Sequence, residues 1–286
     1  MRPLGELSYW KAAEFHLFAL YAGICILKHK DILSKEKYLH YLHFAAALRL
    51  LISAQTTDSD MRVCSSLLST FVTKCSALYG CGFLTYNVHS LIHLPDDFKR
   101  FGSLDYVSCF PFESYLGLLT ECVHSGYKPL SQVATHAHHM NENLLNMIKM
   151  QKDSIGQDYL HDTNDECHFP PALQGQNIKK YRTTLLSNDC IIIPNSTADS
   201  TIMVNEYVAK VFDIFEVPPK KFLTVKKYKY VKCCFKHPIK SSIVGIFEIF
   251  ELSSTFEWIE LEECITKCFI MPFKNKFIAI QMIHSF

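Results

Sequence analysis

A carboxylate on an apolar helix is the first residue of this chain that could do metal chemistry. Glu14 lies just before residues 17–27, which carry no charge, so its helix is predicted to be buried on every side. A carboxylate in such a place must find a cationic partner, bind a metal ion or raise its pKa. Glu14 is therefore the first candidate for a metal-binding catalytic acid. Solvent exposure, or pairing with Lys11 or a distant base, is the alternative, because structural ion pairs also perturb pKa values.

Two histidines and a second carboxylate are the next candidates. His89 and His93 stand four apart on a helix predicted at about residues 85–93, so both can face one side, as a metal site requires. Apolar neighbours and the lack of an HExxH glutamate favour polar contacts within a helical core instead.

Glu113 follows Pro111 in the first turn of a predicted helix, where a negative charge is favourable in itself. Glu113 is the reserve candidate for a catalytic acid.

A lysine-rich stretch near the C-terminus is the candidate for binding nucleic acid. The lysines that could follow a phosphate backbone are Lys220, Lys221, Lys226, Lys227, Lys229 and Lys232. Tyr228 and Tyr230 lie between them, and alternation along a strand is expected to place charges and rings on different faces. Lysines also protect edge strands, which is the competing interpretation. The acidic residues 257–263 are close enough in sequence to offset the positive charge.

The elements that would position these residues differ between the two ends of the chain. Helical periodicity predicts helices at about 34–53, 60–78, 85–93, 112–124 and 128–151. Runs of β-branched and aromatic residues after residue 177 predict a small antiparallel barrel or sandwich. The fold class is therefore α+β, with an all-α domain at 1–151, an acidic linker at 152–176 and a β-rich domain at 177–286.

Composition limits the compartment and the partners. The 29 basic and 28 acidic residues nearly balance, so no overall field attracts the chain to nucleic acid. The apolar run of the first helix is too short to span a bilayer, so no membrane association is expected. The first residues do not resemble a signal peptide, and the twelve cysteines are scattered, which favours reduced thiols in a nuclear or cytoplasmic protein that is not secreted.

Three motifs in order resemble the C-terminal part of CACTA-type (En/Spm, tnp2-like) DNA transposases. The likeness covers about residues 8–135, the helical region that follows the catalytic part in that family, and continues more weakly into a β-rich tail like that of animal copies. The motifs are Trp10-Lys11-Ala12-Ala13-Glu14-Phe15, Asn87-Val88-His89-Ser90-Leu91-Ile92-His93-Leu94 and Phe110-Pro111-Phe112-Glu113-Ser114-Tyr115-Leu116-Gly117.

The resemblance implies a function and a set of roles. Family members would hold two Mg or Mn ions with three carboxylates in a ribonuclease-H-like site, and Glu14 aligns with the third acid. His89 and His93 would then support the region near that acid. The other two acids are expected upstream, so this chain is expected to hold no cofactor and to be inactive alone. The alternative is a non-catalytic module that contacts DNA or chromatin.

The resemblance also implies a partner for the first helix. The catalytic region, or another protein, would cover its apolar side chains. In the absence of that cover, exposed apolar surface is expected around Phe15, Phe18 and Ile24.

Overall fold

The computed structural model describes residues 2–53, 56–136, 168, 170, 178–186, 190–205, 207–261 and 265–283. Helices come first and antiparallel strands follow, which confirms the predicted α+β class. Two compact units form: residues 1–107 with 161–286, and residues 108–160. The predicted helix beyond residue 136 and most of the predicted acidic linker lie outside the described residues.

The chain begins with short helical segments. These are a 3-10 turn at Leu4–Tyr9, α1 at Ala12–Leu17, a π-helical turn at Phe18–Ala22 and α2 at Gly23–Ile26. Gly23 is required by close packing, because a Cβ atom there would lie 2.5 Å from the Tyr41 hydroxyl oxygen. The apolar run is buried only from Leu20 to Cys25, whereas the turn that carries Glu14 is largely exposed. The prediction of burial on every side was therefore wrong for the start of the helix.

Two long helices follow and confirm the helices predicted from periodicity at about residues 34–53 and 60–78. They are α3 at Lys35–Ile52 and α4 at Asp58–Tyr79. The Ser34 hydroxyl accepts from the third N–H of α3, and Thr57 forms a capping box with Asp60 at the start of α4. Gly80, at φ +90°, ends α4 in a conformation that side chains rarely adopt.

Short helices complete the α region. They are α5 at Tyr86–Ser90, a 3-10 turn at Leu91–His93, α6 at Leu94–Phe101 and a 3-10 turn at Leu104–Val107. The second unit contains α7 at Phe110–Glu121 and a helical stretch at 129–136, where the described range ends. Ser103 ties the end of the first group to α3, because its hydroxyl donates to the Ile52 carbonyl at 2.6 Å.

The strands close into a six-stranded antiparallel barrel. Ten strands are described: β1 Lys179–Tyr181, β2 Thr184–Leu185, β3 Ile191–Ile192, β4 Thr201–Val204, β5 Tyr207–Val217, β6 Lys220–Cys233, β7 Ile246–Leu252, β8 Glu257–Glu260, β9 Ile265–Phe273 and β10 Lys276–Gln281. Pairing runs β5-β4-β9-β10-β7-β6 and returns to β5, which closes the ring. Strands β1 and β8 extend it at β5 and β6, and β2 pairs with β3 separately.

Side chains from all six strands of the ring fill its interior. They are Met203, Val208, Tyr228, Val231, Phe247, Ile249, Cys268, Ile270 and Ala279. The opposite faces of β7, β9 and β10 pack against the first helices, and Ile246, Ile278 and Ile280 join Leu20 and Ile24 in one core. Residues on alternate positions of a strand point to opposite faces, so these strands are buried on both sides.

The barrel therefore supplies most of the cover that the first helix needs. Ile24 is fully buried, which corrects the expectation of exposed surface at that residue. Phe15 is 47% exposed and Phe18 is partly exposed, so exposed apolar surface persists at the start of the helix. The shared core also explains why the compact unit crosses the predicted domain boundaries at residues 151 and 176. The apolar faces of the helices and of the barrel exclude water only when they pack together.

Arg49 of α3 joins the two parts of this core. Its guanidinium is buried and donates to the backbone carbonyls of Val244 at 2.7 Å, Leu20 at 3.2 Å and Gln281 at 2.7 Å. It also lies 5.5 Å from the ring centre of Tyr21. Burial lowers the pKa of Arg49, and these contacts compensate for lost hydration. One side chain thus connects α3 with the π-helical turn, the segment before β7 and the end of β10.

Candidate functional site

The carboxylate of Glu14 is used to start α1. The backbone N–H of Lys11 donates to one oxygen at 3.0 Å, and that of Arg2 donates to the other at 2.7 Å. These two hydrogen bonds, with the Arg2 guanidinium at 3.5 Å, hold the pKa of Glu14 below its ordinary value. The structure thus favours the alternative of a paired carboxylate, because the hydrogen bonds outweigh the opposing effect of burial on the pKa of Glu14.

The other acid and histidine candidates lie on the surface. His89 and His93 are exposed, with ring centres 5.8 Å apart in an edge-to-face arrangement. Both are exposed, so they are not the polar contacts inside a helical core that the sequence favoured. Glu113 is exposed in the first turn of α7, in the second compact unit. Across the described residues, no three His, Cys, Asp or Glu side chains group in a way that could hold a metal ion.

Among the described residues, at least three of the six candidate lysines of β6 form ion pairs. Lys220 lies 2.8 Å from Glu260, Lys227 lies 2.6 Å from Glu257, and Lys229 lies 2.7 Å from Glu251. The first two acids belong to β8, which pairs directly with β6. The expected offset by the acidic stretch is therefore present at Glu257 and Glu260. Part of the positive charge of β6 is neutralised within the protein.

The other three candidates pack on aromatic rings. The Lys221 ammonium lies 4.8 Å from the ring centre of Tyr181. The Lys226 ammonium lies 4.2 Å from the ring centre of Phe256 and 5.4 Å from that of Phe212. The Lys232 ammonium lies 5.4 Å from Phe250 and 5.7 Å from Tyr230. These contacts leave each ammonium positively charged.

Lys232 shares a face of the sheet with an aromatic pair. Val231 and Ile249 pack into the barrel interior, so the adjacent Tyr230, Lys232 and Phe250 point outwards. Tyr230 and Phe250 are cross-strand partners whose rings stack at 4.5 Å with an interplanar angle of 11°. The expectation that lysines and rings lie on different faces was wrong here. Tyr228 does point inwards, because the chain changes face between Tyr228 and Tyr230.

A polar cluster centred on Asp213 was not predicted from the sequence. This carboxylate is buried next to an irregularity in β5, and it accepts from the Nδ1 atom of His168 at 3.1 Å and from Lys180 at 3.1 Å. The carbonyl of His168 accepts from the Trp258 indole at 2.7 Å and the Thr224 hydroxyl at 3.1 Å. These contacts fix the chain at residue 168 to the barrel. Only the mixed polarity of β5 could have indicated Asp213, because its partners are distant in sequence.

The described cysteines and helices concern the predictions of reduced thiols and of no membrane association. The free thiols among the described residues include Cys25, Cys64, Cys75, Cys81, Cys109, Cys233, Cys234 and Cys268. Burial raises the pKa of Cys268 and of Cys25 to about 12, so these two thiols are held protonated at neutral pH. No helix within the described residues combines the length and apolar character needed to cross a membrane. The compartment itself remains a prediction.

A family model, "Domain of unknown function (DUF8592)", matches residues 167–282. The match covers the barrel and its edge strands, and it begins next to His168. No curated protein and no solved structure matches the chain. The barrel is therefore similar to a domain of unknown function.

Proposed function

We propose that this chain is a non-catalytic nucleic-acid-binding module in the nucleus, derived from the C-terminal part of a CACTA-type transposase. The three motifs between residues 8 and 135 support the origin. Packing of β6 lysines on aromatic rings supports the binding role. Lys226 and Lys232 are the residues that carry it, because they contact rings among the described residues, whereas Lys220 and Lys229 each bind a carboxylate.

The free-energy cost of recruiting a lysine to a phosphate depends on the contacts that the lysine already makes. A lysine that already pairs with a carboxylate must give up that pair before it can release counterions from DNA. A lysine that lies on a ring keeps its full charge and has lost part of its side-chain freedom, so binding costs less ordering entropy. Small barrels also bind nucleic acid on the outer face of their strands, by combining basic grooves with aromatic side chains.

The test is DNA binding by the full chain, titrated against salt. The full chain is needed because the barrel shares its core with the helices. Each phosphate contact on duplex DNA contributes about 0.9 to the slope of log affinity against log salt. We expect K226Q and K232Q together to lower that slope by about 1.8. The matched pair K220Q and K229Q should change it less, because those ammonium groups are engaged with Glu260 and Glu251.

Two results would overturn this proposal. The first is no binding of single-stranded or duplex DNA at about 50 mM salt, where phosphate contacts are strongest. The second is an equal loss of slope from both lysine pairs, since that result would make the rings irrelevant. The transposase origin is tested separately, by looking in the genomic sequence for an open frame that encodes the other catalytic acids.

A further inference from the structure

One face of the Tyr230 ring is open on the surface of the barrel. Phe250 stacks against the opposite face at 4.5 Å, and Tyr230 is 44% exposed. β6 pairs with β5 only up to Lys227, so none of the described strand pairings covers β6 on that side at Tyr230. The stack holds the Tyr230 ring in a fixed orientation. A flat ligand can therefore add to the stack without first ordering the side chain.

The charges around the stack are arranged at its sides. Lys232 is nearly equidistant from the centres of the two rings, which places its ammonium beside the stack rather than above the open face. Lys276 lies 4.7 Å from the centre of Phe250 and binds Glu248 at 2.6 Å. Lys229 is paired with Glu251. The open ring face thus has the Lys232 ammonium at its edge. The nearby carboxylates of Glu248 and Glu251 each form an ion pair with another lysine.

We propose that the open face of Tyr230 is a stacking site for one unpaired base of a single-stranded nucleic acid, with the adjoining phosphate at Lys232. This inference rests on the proposed function and deepens it, because it names the form of nucleic acid. A base has two flat faces and its phosphate lies a few ångströms away, and Tyr230 with Lys232 presents the complementary pair of groups.

The form of the site excludes a duplex as its preferred ligand. Bases in a duplex are stacked on one another, so a ring on the protein surface meets only their edges unless the helix opens. An unpaired base presents its flat face to an aromatic side chain at no unstacking cost. The stack is also bounded by only a few lysines, which suits a short single strand better than the dense phosphates of a duplex.

The experiment uses the full chain and a short oligothymidylate that carries one 2-aminopurine. Stacking on Tyr230 should lower the 2-aminopurine fluorescence, and anisotropy of an end-labelled strand should give the dissociation constant. Loss of one stacked base in Y230L should raise that constant about 5- to 150-fold. Y230F keeps the ring and should stay within about threefold of the unmodified chain. K232Q should lower the salt slope by about 0.7.

A matched control separates this site from general aromatic exposure. Tyr86 of α5 is 83% exposed, and Y86L should bind the strand as the unmodified chain does. Circular dichroism checks that Y230L folds. Unchanged binding by folded Y230L overturns the inference, as does equal loss in Y86L. Duplex binding without single-strand binding overturns the inference alone and leaves the proposed function standing. Binding of a proline-rich peptide with no nucleic-acid binding overturns both.

Discussion

The carboxylate of Glu14 is held ionised by two backbone N–H groups, and this makes its titration informative. Its pKa in the folded chain lies below the ordinary value of 4.5. The ionised form therefore stabilises the fold above that pH, and the contribution is lost as the pH falls through the lowered folded pKa. We expect the Glu14 carboxyl carbon to titrate below 4.5 in an NMR pH series, and E14Q to shift only the nearby amides.

The same experiment tests the metal-binding alternative. A Glu14 that titrates at or above its ordinary value would contradict the capping role, since burial among apolar groups raises a carboxyl pKa. Addition of Mg or Mn provides a second criterion. If Glu14 only starts α1, its chemical shift should not respond to either ion at concentrations that leave exposed Glu113 unaffected.

Arg49 is a second single residue for which the size of an effect on the free energy of unfolding can be predicted. Replacing it by Met removes the charge and the hydrogen bonds that the guanidinium donates to three carbonyl oxygens, two of them in buried contacts and one in a partly buried contact. An unsatisfied buried polar group costs about 1–3 kcal/mol. We expect R49M to lower the free energy of unfolding in urea by about 3 kcal/mol or more. The control is the exposed Arg62 of α4, where R62M should change stability by less than about 0.5 kcal/mol. Equal effects would contradict the role assigned to Arg49.

At the scale of elements, α3 and α4 are joined by a buried histidine. The Nε2 atom of His40 lies 2.8 Å from the Phe71 carbonyl, and Nδ1 lies 3.1 Å from the Tyr79 hydroxyl. Burial lowers the pKa of His40, and the nearby positive charge of Lys74 acts in the same direction. The neutral ring therefore favours the fold above its ordinary pKa of 6.5, and this stabilisation is lost as the pH falls through the folded pKa.

The measurement is the free energy of unfolding as a function of pH. The unmodified chain should lose stability below about pH 6.5, and H40F should show a smaller loss over the same interval. Some pH dependence should remain in H40F, because burial also lowers the pKa of His16 and of His43. H89Q changes an exposed histidine and serves as the control. A pH dependence identical in H40F and the unmodified chain would contradict the role of His40.

Local signals made the helix ends predictable, whereas long-range contacts did not follow from sequence. Helical periodicity located α3 and α4, and the caps at Ser34, Thr57 and Gly80 act on the backbone within a few residues of the helix ends. The partner of Asp213 at residue 168 is 45 positions away, and no periodicity encodes such a contact. The burial of Glu14 was predicted wrongly for a related reason. The apolar run was recognised correctly, but the turn before it was assigned the same burial.

At the scale of the whole molecule, the helices and the barrel depend on each other. The apolar faces of β7, β9 and β10 would be exposed in an isolated barrel, and Ile246, Ile278 and Ile280 are now almost fully buried against the helices. A division into independent helical and β-rich domains predicts that each folds alone. A shared core predicts that neither does, because each part leaves a large apolar face in water.

The final prediction follows from that shared core. Residues 161–286 expressed alone should aggregate or bind a hydrophobic dye, and coexpression with residues 1–107 should yield a soluble complex. R49M in the helical fragment should weaken reassembly, since Arg49 donates to carbonyls at Val244 and Gln281 of the barrel fragment. The matched R62M fragment should assemble normally.

Size-exclusion chromatography with thermal unfolding measures both outcomes. A monomeric 161–286 fragment that unfolds at the temperature of the full chain would show that the barrel is independent, because covering its outer face would then add nothing to its stability.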